Sequence, residues 1–250
     1  MDKINKNREF LKASNWKKWD DLERDQANDI PKPPIQKDYP ENSELIDLIE
    51  PENINLGNMK IKEVIEKRRS RRRYKDDYLT KEELSYLLWT TQGLKENDSL
   101  RNVPSAGARH PFETYLHIKR VKEIKEGLYR YLPIEHKLLF IKGDKDLNKK
   151  IYNACSKQRF VKESAITFIW SVIPYRTEWR YSHFAHKVIA IDAGHLCQNL
   201  YLASESINAG SCAIGAYYQD EIDEILELDG EDEYTIYIAT VGKIPENKEN

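Results

Sequence analysis

One pattern constrains this chain more than any other. Ile189, Ala193, Leu196, Leu200, Ala203 and Ile207 recur at intervals of four, three, four, three and four residues. That spacing sets six apolar side chains along one stripe of an α-helix of about five turns. Asn208 and Gly210 stand where such a helix stops. A helix this long with an unbroken apolar stripe needs an extended apolar surface to lie on, which predicts that it is central and buried. Ala165 to Ile173 is a continuous apolar run of the kind shown by a strand buried on both faces.

Other signals surround this pair. IKEVIEKRR puts Ile61, Val64 and Ile65 at helical spacing, and Thr80-Lys81-Glu82-Glu83 is a capping box ahead of Leu84, Leu87 and Leu88, with Gly93 as the stop. Thr114 to Lys119, Gly127 to Leu132 and Lys137 to Ile141 are rich in β-branched, aromatic and aliphatic residues, which predicts a small antiparallel set. Ser211 to Tyr217 and Tyr234 to Val241 read as strands flanking a short helix around Glu221 to Leu226. The class is α+β or mixed α/β, with no internal repeat and no second independent core.

Residues 1–58 read as an arm. Five of the ten prolines, Pro31, Pro33, Pro34, Pro40 and Pro51, fall there. Proline fixes its own backbone and donates no hydrogen bond, so IPKPPIQKDYP is expected to be extended, ordered only by lying on the body or on a second subunit. A short helix is expected before it, around Asn7 to Arg24, where Trp16, Trp19 and Leu22 could bury. A disordered leader is the alternative. Residues 59–250 are expected to form the functional domain.

Composition excludes several classes. Forty Lys and Arg against 42 Asp and Glu give a charge of -2, so the composition does not describe a wholesale polyanion coat. No apolar run approaches the ~20 residues that span a bilayer, and MDKINKNREF has no apolar signal core, which leads us to expect a cytoplasmic protein without a membrane partner. Cys155, Cys197 and Cys212 show neither C-x-x-C nor finger spacing and are expected to be reduced thiols.

Three local features could carry chemistry. Lys67 to Lys75 holds seven cations in nine residues, and its Arg-Ser-Arg alternation offers guanidinium forks beside a hydroxyl, the donor set that a phosphate needs. Nucleic acid would satisfy the same cluster, but no basic motif repeats elsewhere; a solvated helix end partly paired with Asp76 and Asp77 is the plain alternative. Val103 to Glu113 and Ala209 to Ala216 are runs of small residues that would let a backbone approach a flat ligand, or that serve only as turns. Neither is a dinucleotide or Walker fingerprint. His183, His186, His195 and Cys197 have a metal-like spacing, but without H-E-x-x-H they suit capping and hydrogen bonding better, and no metal is expected. Cys212 could be a nucleophile, though no base can be named for it and a buried thiol fits as well.

Taken in order, RRSRR at 68–72, PSAGARHPFE, and DAGHLCQNLYLASESINAGSCAIGAYYQDEIDEILELDGEDEY resemble the nitroreductase-like flavoproteins, and among them the SagB/ThcOx-type dehydrogenase branch. The resemblance spans roughly Lys60 to Lys243. It implies an α+β fold with a central, mostly antiparallel sheet flanked by helices, and a homodimer, joined by the long helix, that holds FMN in two interfacial clefts. It assigns Arg68, Arg69 and Ser70 to phosphate and ribose, and Arg72 to the pyrimidine edge, where a cation favours the reduced anion. Pro104, Ser105, Ala106, Gly107 and Ala108 match the loop that reaches the ring from the partner, and Gln158 an amide beside it. Ala213, Ile214 and Gly215 match the strand against the ring, while Gly242 and Lys243 complete the phosphate site. Asp192 departs from the usual Glu, and Tyr217 from a common Phe.

The activity implied is hydride transfer between FMN and a small-molecule or peptide substrate, of the azoline-oxidising kind in that branch, which needs a cyclising partner. The alternative keeps FMN and reduces nitroaromatics or quinones with NADH or NADPH. A non-redox polyanion-binding module is the reading from a different class. No catalytic acid or base is assigned. The aromatic and Arg-rich stretch YRTEWRYSHFAH, Tyr175 to His186, is the candidate substrate-facing lid.

Overall fold

The computed structural model describes residues 2–95 and 100–245; 96–99 and the last five residues of the unit read as 59–250 lie outside the described residues. Its strands are β1 (Leu45–Asp47), β2 (Phe112–Ile118), β3 (Gly127–Leu132), β4 (Lys137–Lys142), β5 (Ile166–Val172), β6 (Ala209–Ile214) and β7 (Tyr234–Lys243). Among the described residues the α-helices are α1 (Lys3–Leu11), α2 (Ile61–Lys67), α3 (Lys81–Gln92), α4 (Leu147–Ala154), α5 (Arg159–Glu163), α6 (Tyr175–Tyr181), α7 (Ala185–Ser206) and α8 (Gln219–Leu226). The strands form one sheet in the order β1-β4-β3-β2-β5-β7-β6, every pair antiparallel. The class is α+β.

Strand β5 shows why a continuous apolar run was needed at the centre. Side chains alternate across a strand, and all seven of its residues are buried. Ile166, Phe168 and Trp170 enter the core shared with α3 and α7, while Ile169 enters a second core with α4, α5 and α8. The stripe on α7 behaves as its spacing requires, with Ile189, Ala193, Leu196, Leu200 and Ala203 all in the first core. Helix α3 starts at its capping box, where Thr80 Oγ1 accepts from Glu83 N at 3.0 Å and Glu83 Oε2 accepts from Thr80 N at 2.8 Å. Gly93 closes it.

The arm lies on the body of its own chain. Residues 30–44 contain no helix or strand, as the prolines require. Their carbonyls are held by buried side chains: Arg101 Nη2 donates to Ile35 O at 2.5 Å, and Arg130 Nη2 to Lys37 O and Asp38 O at 3.0 and 2.8 Å. A paired carbonyl is what makes it tolerable to lay irregular backbone against a protein surface. The arm then contributes β1, which pairs with β4.

Two sequence expectations need correction, and three elements carry no expectation from the sequence. The helix near Asn7 to Arg24 forms instead at Lys3–Leu11, because Trp16 and Trp19 turn out of the helical path to stack on each other, with ring centroids 5.3 Å apart, and on Tyr181. The strand read as Ser211 to Tyr217 runs from Ala209 to Ile214; past it, Ala216 O accepts from Gln158 Nε2 and Tyr218 N donates to Ala154 O, so pairing with β7 ends. Helices α4 and α5 had not been anticipated, although Leu147, Ile151 and Ala154 bury at helical spacing. Strand β1 is too short to leave a pattern.

Buried histidines contribute to the response to acid, His117 and His110 with the largest shifts. His117 on β2 has no hydrogen-bond partner at either ring nitrogen. Burial, with Lys119 adding to it, lowers its pKa to about 3, and burial beside Arg101 and Arg109 does the same for His110. The unfolded chain therefore takes up these protons first, so stability falls as pH drops below about 6.5 and continues to fall toward 3. Each such group contributes up to about 1.4 kcal/mol per pH unit in that window. Urea unfolding of His117→Phe and wild type at pH 4.5, 5.5 and 7 should show a slope in the variant that is shallower by roughly this amount.

Candidate active site

Helix α2 ends at Lys67, and the basic segment then runs extended along the edge of β6. Ser70 bridges Ser211, Arg71 N donates to Ser211 O at 2.9 Å, and Lys75 N donates to Lys243 O at 2.8 Å. Two paired glycines permit so close a track. A Cβ on Gly210 would sit 2.6 Å from Arg71 Cβ, and one on Gly242 would sit 2.9 Å from the Tyr74 ring. The arginines divide by role. Arg71 turns inward to Glu205 of α7 at 2.9 Å, an ion pair of two largely buried groups. Arg69 and Arg72 are exposed, and Arg68 lies half-buried with its guanidinium 5.4 Å from the centre of the Tyr201 ring.

Tyr201 is the joint between this segment and β6. Its hydroxyl accepts from Ala213 N at 2.7 Å and lies 3.0 Å from Ser70 Oγ. Ala213 is half-buried, Ile214 turns its side chain into the second core, and Gly215 is exposed, with open space where a Cβ would stand. Gln158 Nε2 reaches the same end, donating to Cys155 O and Ala216 O at 3.0 Å each. Burial pushes the Cys212 thiol up despite Arg72 nearby, so it is no ready nucleophile. Arg72, Arg73, Tyr74, Asp76, Arg159 and Glu163 line an adjoining polar groove of about 590 Å³. Lys243 is otherwise engaged: its ammonium pairs with Glu83 of the α3 capping box.

The loop from Pro104 to Ala108 sits against the other half of α7. Ala106 N donates to Asp192 Oδ2 at 2.9 Å, and His110 N donates to Ser105 Oγ at 2.9 Å. Burial raises the Asp192 carboxyl above its ordinary value, with the Ser105 and Ala106 hydrogen bonds opposing. Gly107 has φ +58°, and a Cβ there would lie 2.7 Å from the Tyr181 hydroxyl and Arg180 Cδ of α6. Ala108 and His110 also have positive φ, at 52° and 47°. Left-handed backbone at a non-glycine residue costs on the order of 1 kcal/mol. This strained loop is held in place by the contacts to Asp192 and α6.

The two sets are thus separated within one chain. Asp192 and Tyr201 are nine residues apart on α7, about 13 Å of rise and half a turn of rotation. Between them the helix presents an exposed stripe of Ile191, Gly194, His195 and Gln198. Sequence reasoning had not singled out Tyr201, Glu205 or Arg71 as the groups that tie the segment down. The one signal available was the place of Tyr201 and Glu205 on the flank of the long helix. His186 pairs with Glu178 at 2.8 Å, and no cluster able to hold a metal is present among the described residues. Nor is any helix among them long and apolar enough to cross a membrane.

This sheet, the stripe-bearing helix and the basic segment at its flank are the parts of an FMN-dependent oxidoreductase. The model of the Nitroreductase family matches residues 65–243, and the chain belongs to that family. It is 33% identical over 189 residues to a protein of Methanocaldococcus jannaschii provisionally named a nitroreductase, covering 76% of this chain and 93% of that one. A nitroreductase-type structure from Anabaena variabilis superposes with a TM-score of 0.68 at 27% identity, covering 81% of this chain and 42% of the other. Another from Ralstonia eutropha gives 0.67 at 24% identity, covering 87% and 100%.

Tyr201→Phe should leave the part-buried Ala213 N–H without its acceptor, at a cost of about 1 kcal/mol. The expected result is a lower urea midpoint together with faster hydrogen exchange at residues 211–215, whereas the amides of β5 keep their protection until global unfolding.

Proposed function

We propose that the chain acts as a homodimer that holds FMN between its subunits and passes hydride from NADPH or NADH to an electron-poor organic acceptor, a nitroaromatic or quinone. The observation that carries this reading is the placement of the two candidate sets on opposite flanks of an exposed stripe on α7. Neither flank of one chain holds both sets, and a second copy packed along the stripe supplies each flank with the set it lacks. In this reading residues 1–58 are the arm and 59–250 the FMN-binding domain.

The residues present fit the cofactor. Arg68 and Arg69 with the Ser70 hydroxyl form a guanidinium and hydroxyl donor set suited to a phosphate monoester. The exposed Gly215 and half-buried Ala213 leave room for a planar ring, and the 104–108 loop of the second copy would face it. Bound there, FMN supplies the two-electron chemistry. The protein's part is to bind and bias. Arg72 places positive charge where the pyrimidine edge would lie, Gln158 brings an amide to the same end, and the 104–108 loop excludes water from the ring. Gly242 admits Tyr74 beside the phosphate end, and Lys243 reaches that end only by leaving Glu83.

A second reading keeps the same site and oxidises peptide azolines to azoles in concert with a cyclising partner. It is favoured by the order and wording of the PSAGA, DAGHLCQNL and CAIGA motifs. The two readings part on one measurement, the absorbance spectrum of the purified protein followed without oxygen after adding NADPH or NADH. Flavin absorbance that bleaches supports the acceptor-reducing reading. Flavin that stays oxidised moves the azoline reading ahead, and a colourless protein that refuses added FMN and binds polyanions with steep salt dependence overturns both. Arg68→Ala with Arg69→Ala should lose FMN, read by absorbance after gel filtration, while eluting at the dimer position.

A further inference from the structure

Helix α6 is the part of the substrate side that the sequence marked as a lid; three of its seven residues meet the N-terminal arm directly, and a fourth is linked to it through Glu113. Tyr175 donates its hydroxyl to Asp25 Oδ2 at 2.7 Å. Arg176 Nη2 donates to Glu113 Oε1 at 2.6 Å, and that same oxygen accepts from Lys37 N of the arm at 2.9 Å. Trp179 Nε1 donates to Ile30 O at 2.8 Å. Tyr181 meets the rings of Trp16 and Trp19 at 5.8 and 5.7 Å, and Phe184 just beyond the helix meets Trp16 at 5.4 Å. On its other side α6 presses on the strained loop, with the Tyr181 hydroxyl and Arg180 over Gly107.

We propose that the arm is a strap that positions α6 over the 104–108 loop, and that Trp16 and Trp19 set the enzyme's preference for planar ring acceptors. The inference rests on the flavin reading above and deepens it. Tyr181 links the two halves of the argument, since its ring belongs to the aromatic cluster and its hydroxyl to the loop. Trp16, Trp19 and Phe184 extend that surface outward as a wall of rings, of which Trp16 keeps 36% of its surface exposed. Such a wall attracts a flat ring through offset and edge contacts. Arg180 closes the contact from the other side: its Nε is buried and its Cδ lies 2.7 Å from where a Cβ on Gly107 would stand, so α6 and the loop are in direct contact.

The ties to the arm are more numerous than packing alone would need. Asp25, Ile30 and Lys37 each fix a different residue of α6, directly or through Glu113, and Arg24 lies 4.2 Å over the Trp19 ring. Among the arm's hydrogen bonds, those from Asp25, Ile30 and, through Glu113, Lys37 converge on this one seven-residue helix. Trp16 and Trp19 are positioning and specificity residues here, since they act on the acceptor and on Tyr181 and take no part in hydride transfer.

The test uses the full chain with Trp16→Ala and Trp19→Ala together, and Trp16→Phe with Trp19→Phe as the conservative pair. Hydrogen exchange at the amides of residues 178–184 should quicken at least tenfold in the alanine pair and return close to wild type in the phenylalanine pair. With menadione as acceptor, KM should rise five- to tenfold in the alanine pair while kcat moves less than twofold, and the phenylalanine pair should recover most of the loss. Wild-type exchange in the alanine pair, or faster exchange with an unchanged KM, overturns the proposal. Should the alanine pair fail to fold, Tyr175→Phe, which removes only the tie to Asp25, must still quicken exchange across α6, and wild-type exchange there overturns it as well. A colourless wild-type protein is a different result: it removes the flavin reading, while the exchange measurement still decides whether the strap holds α6.

Discussion

Everything else in this structure is arranged around the limited circumference of α7. A helix has room for only a few neighbours, and this one divides its surface into a core sector, two polar flanks and an open stripe. The core sector is fixed by burial against β5 and its neighbours, where Leu196 and Leu200 are almost wholly removed from water. Fully burying a leucine is worth about 2 kcal/mol, so the rotation of the helix is not negotiable. Once that rotation is set, Asp192 must face the small-residue loop and Tyr201 the basic segment. The distance between the two candidate sets follows from helix geometry alone.

The polar flanks are where specificity of structure is concentrated. Arg71 and Glu205 form an ion pair that is close to buried, and Tyr201 satisfies one backbone N–H of β6 while steering Ser70. Removing one member of such a set strands the other, which is costlier than losing an exposed pair. The arm uses the same device with buried arginines. Desolvation lowers the Arg101 pKa to about 10 even though Glu113 opposes the shift, and the group remains charged at neutral pH while it holds Ile35 O. Charge that would be expensive to bury unpaired is offset here by carbonyls that would themselves be expensive to bury unpaired.

The parts of the fold legible in the sequence were those whose burial repeats. Ile189 to Ile207, Ala165 to Ile173 and the Thr80 box each state a period or a cap, and each became the expected element. The parts that escaped were decided by single long-range contacts: the aromatic stack that ends α1 early, the Gln158 and Ala154 contacts that end β6, and the three residues of β1. For the candidate site, the motif order named the arginines, the loop and the β6 strand. It could not show that Arg71 turns inward, that Lys243 is drawn to Glu83, or that the arm ties α6 down. Those depend on which face of an irregular segment meets a neighbour, and irregular backbone has no period to reveal it.

The strap also has a consequence for the order in which the molecule completes itself. Its anchors join positions far apart in the chain: Lys37 O and Asp38 O are bound by Arg130 across 93 and 92 residues, and β1 meets β4 across a similar span. Closing loops of that length costs entropy before any contact rewards it, and the Arg130 site exists only after the β2, β3 and β4 strands have paired. During synthesis the arm therefore leaves the ribosome before the strands that hold it, and it is among the last segments to find its place. Until α6 and Phe184 have folded, its tryptophans remain unsheltered, and the arm of a nascent chain stays open to capture by chaperones.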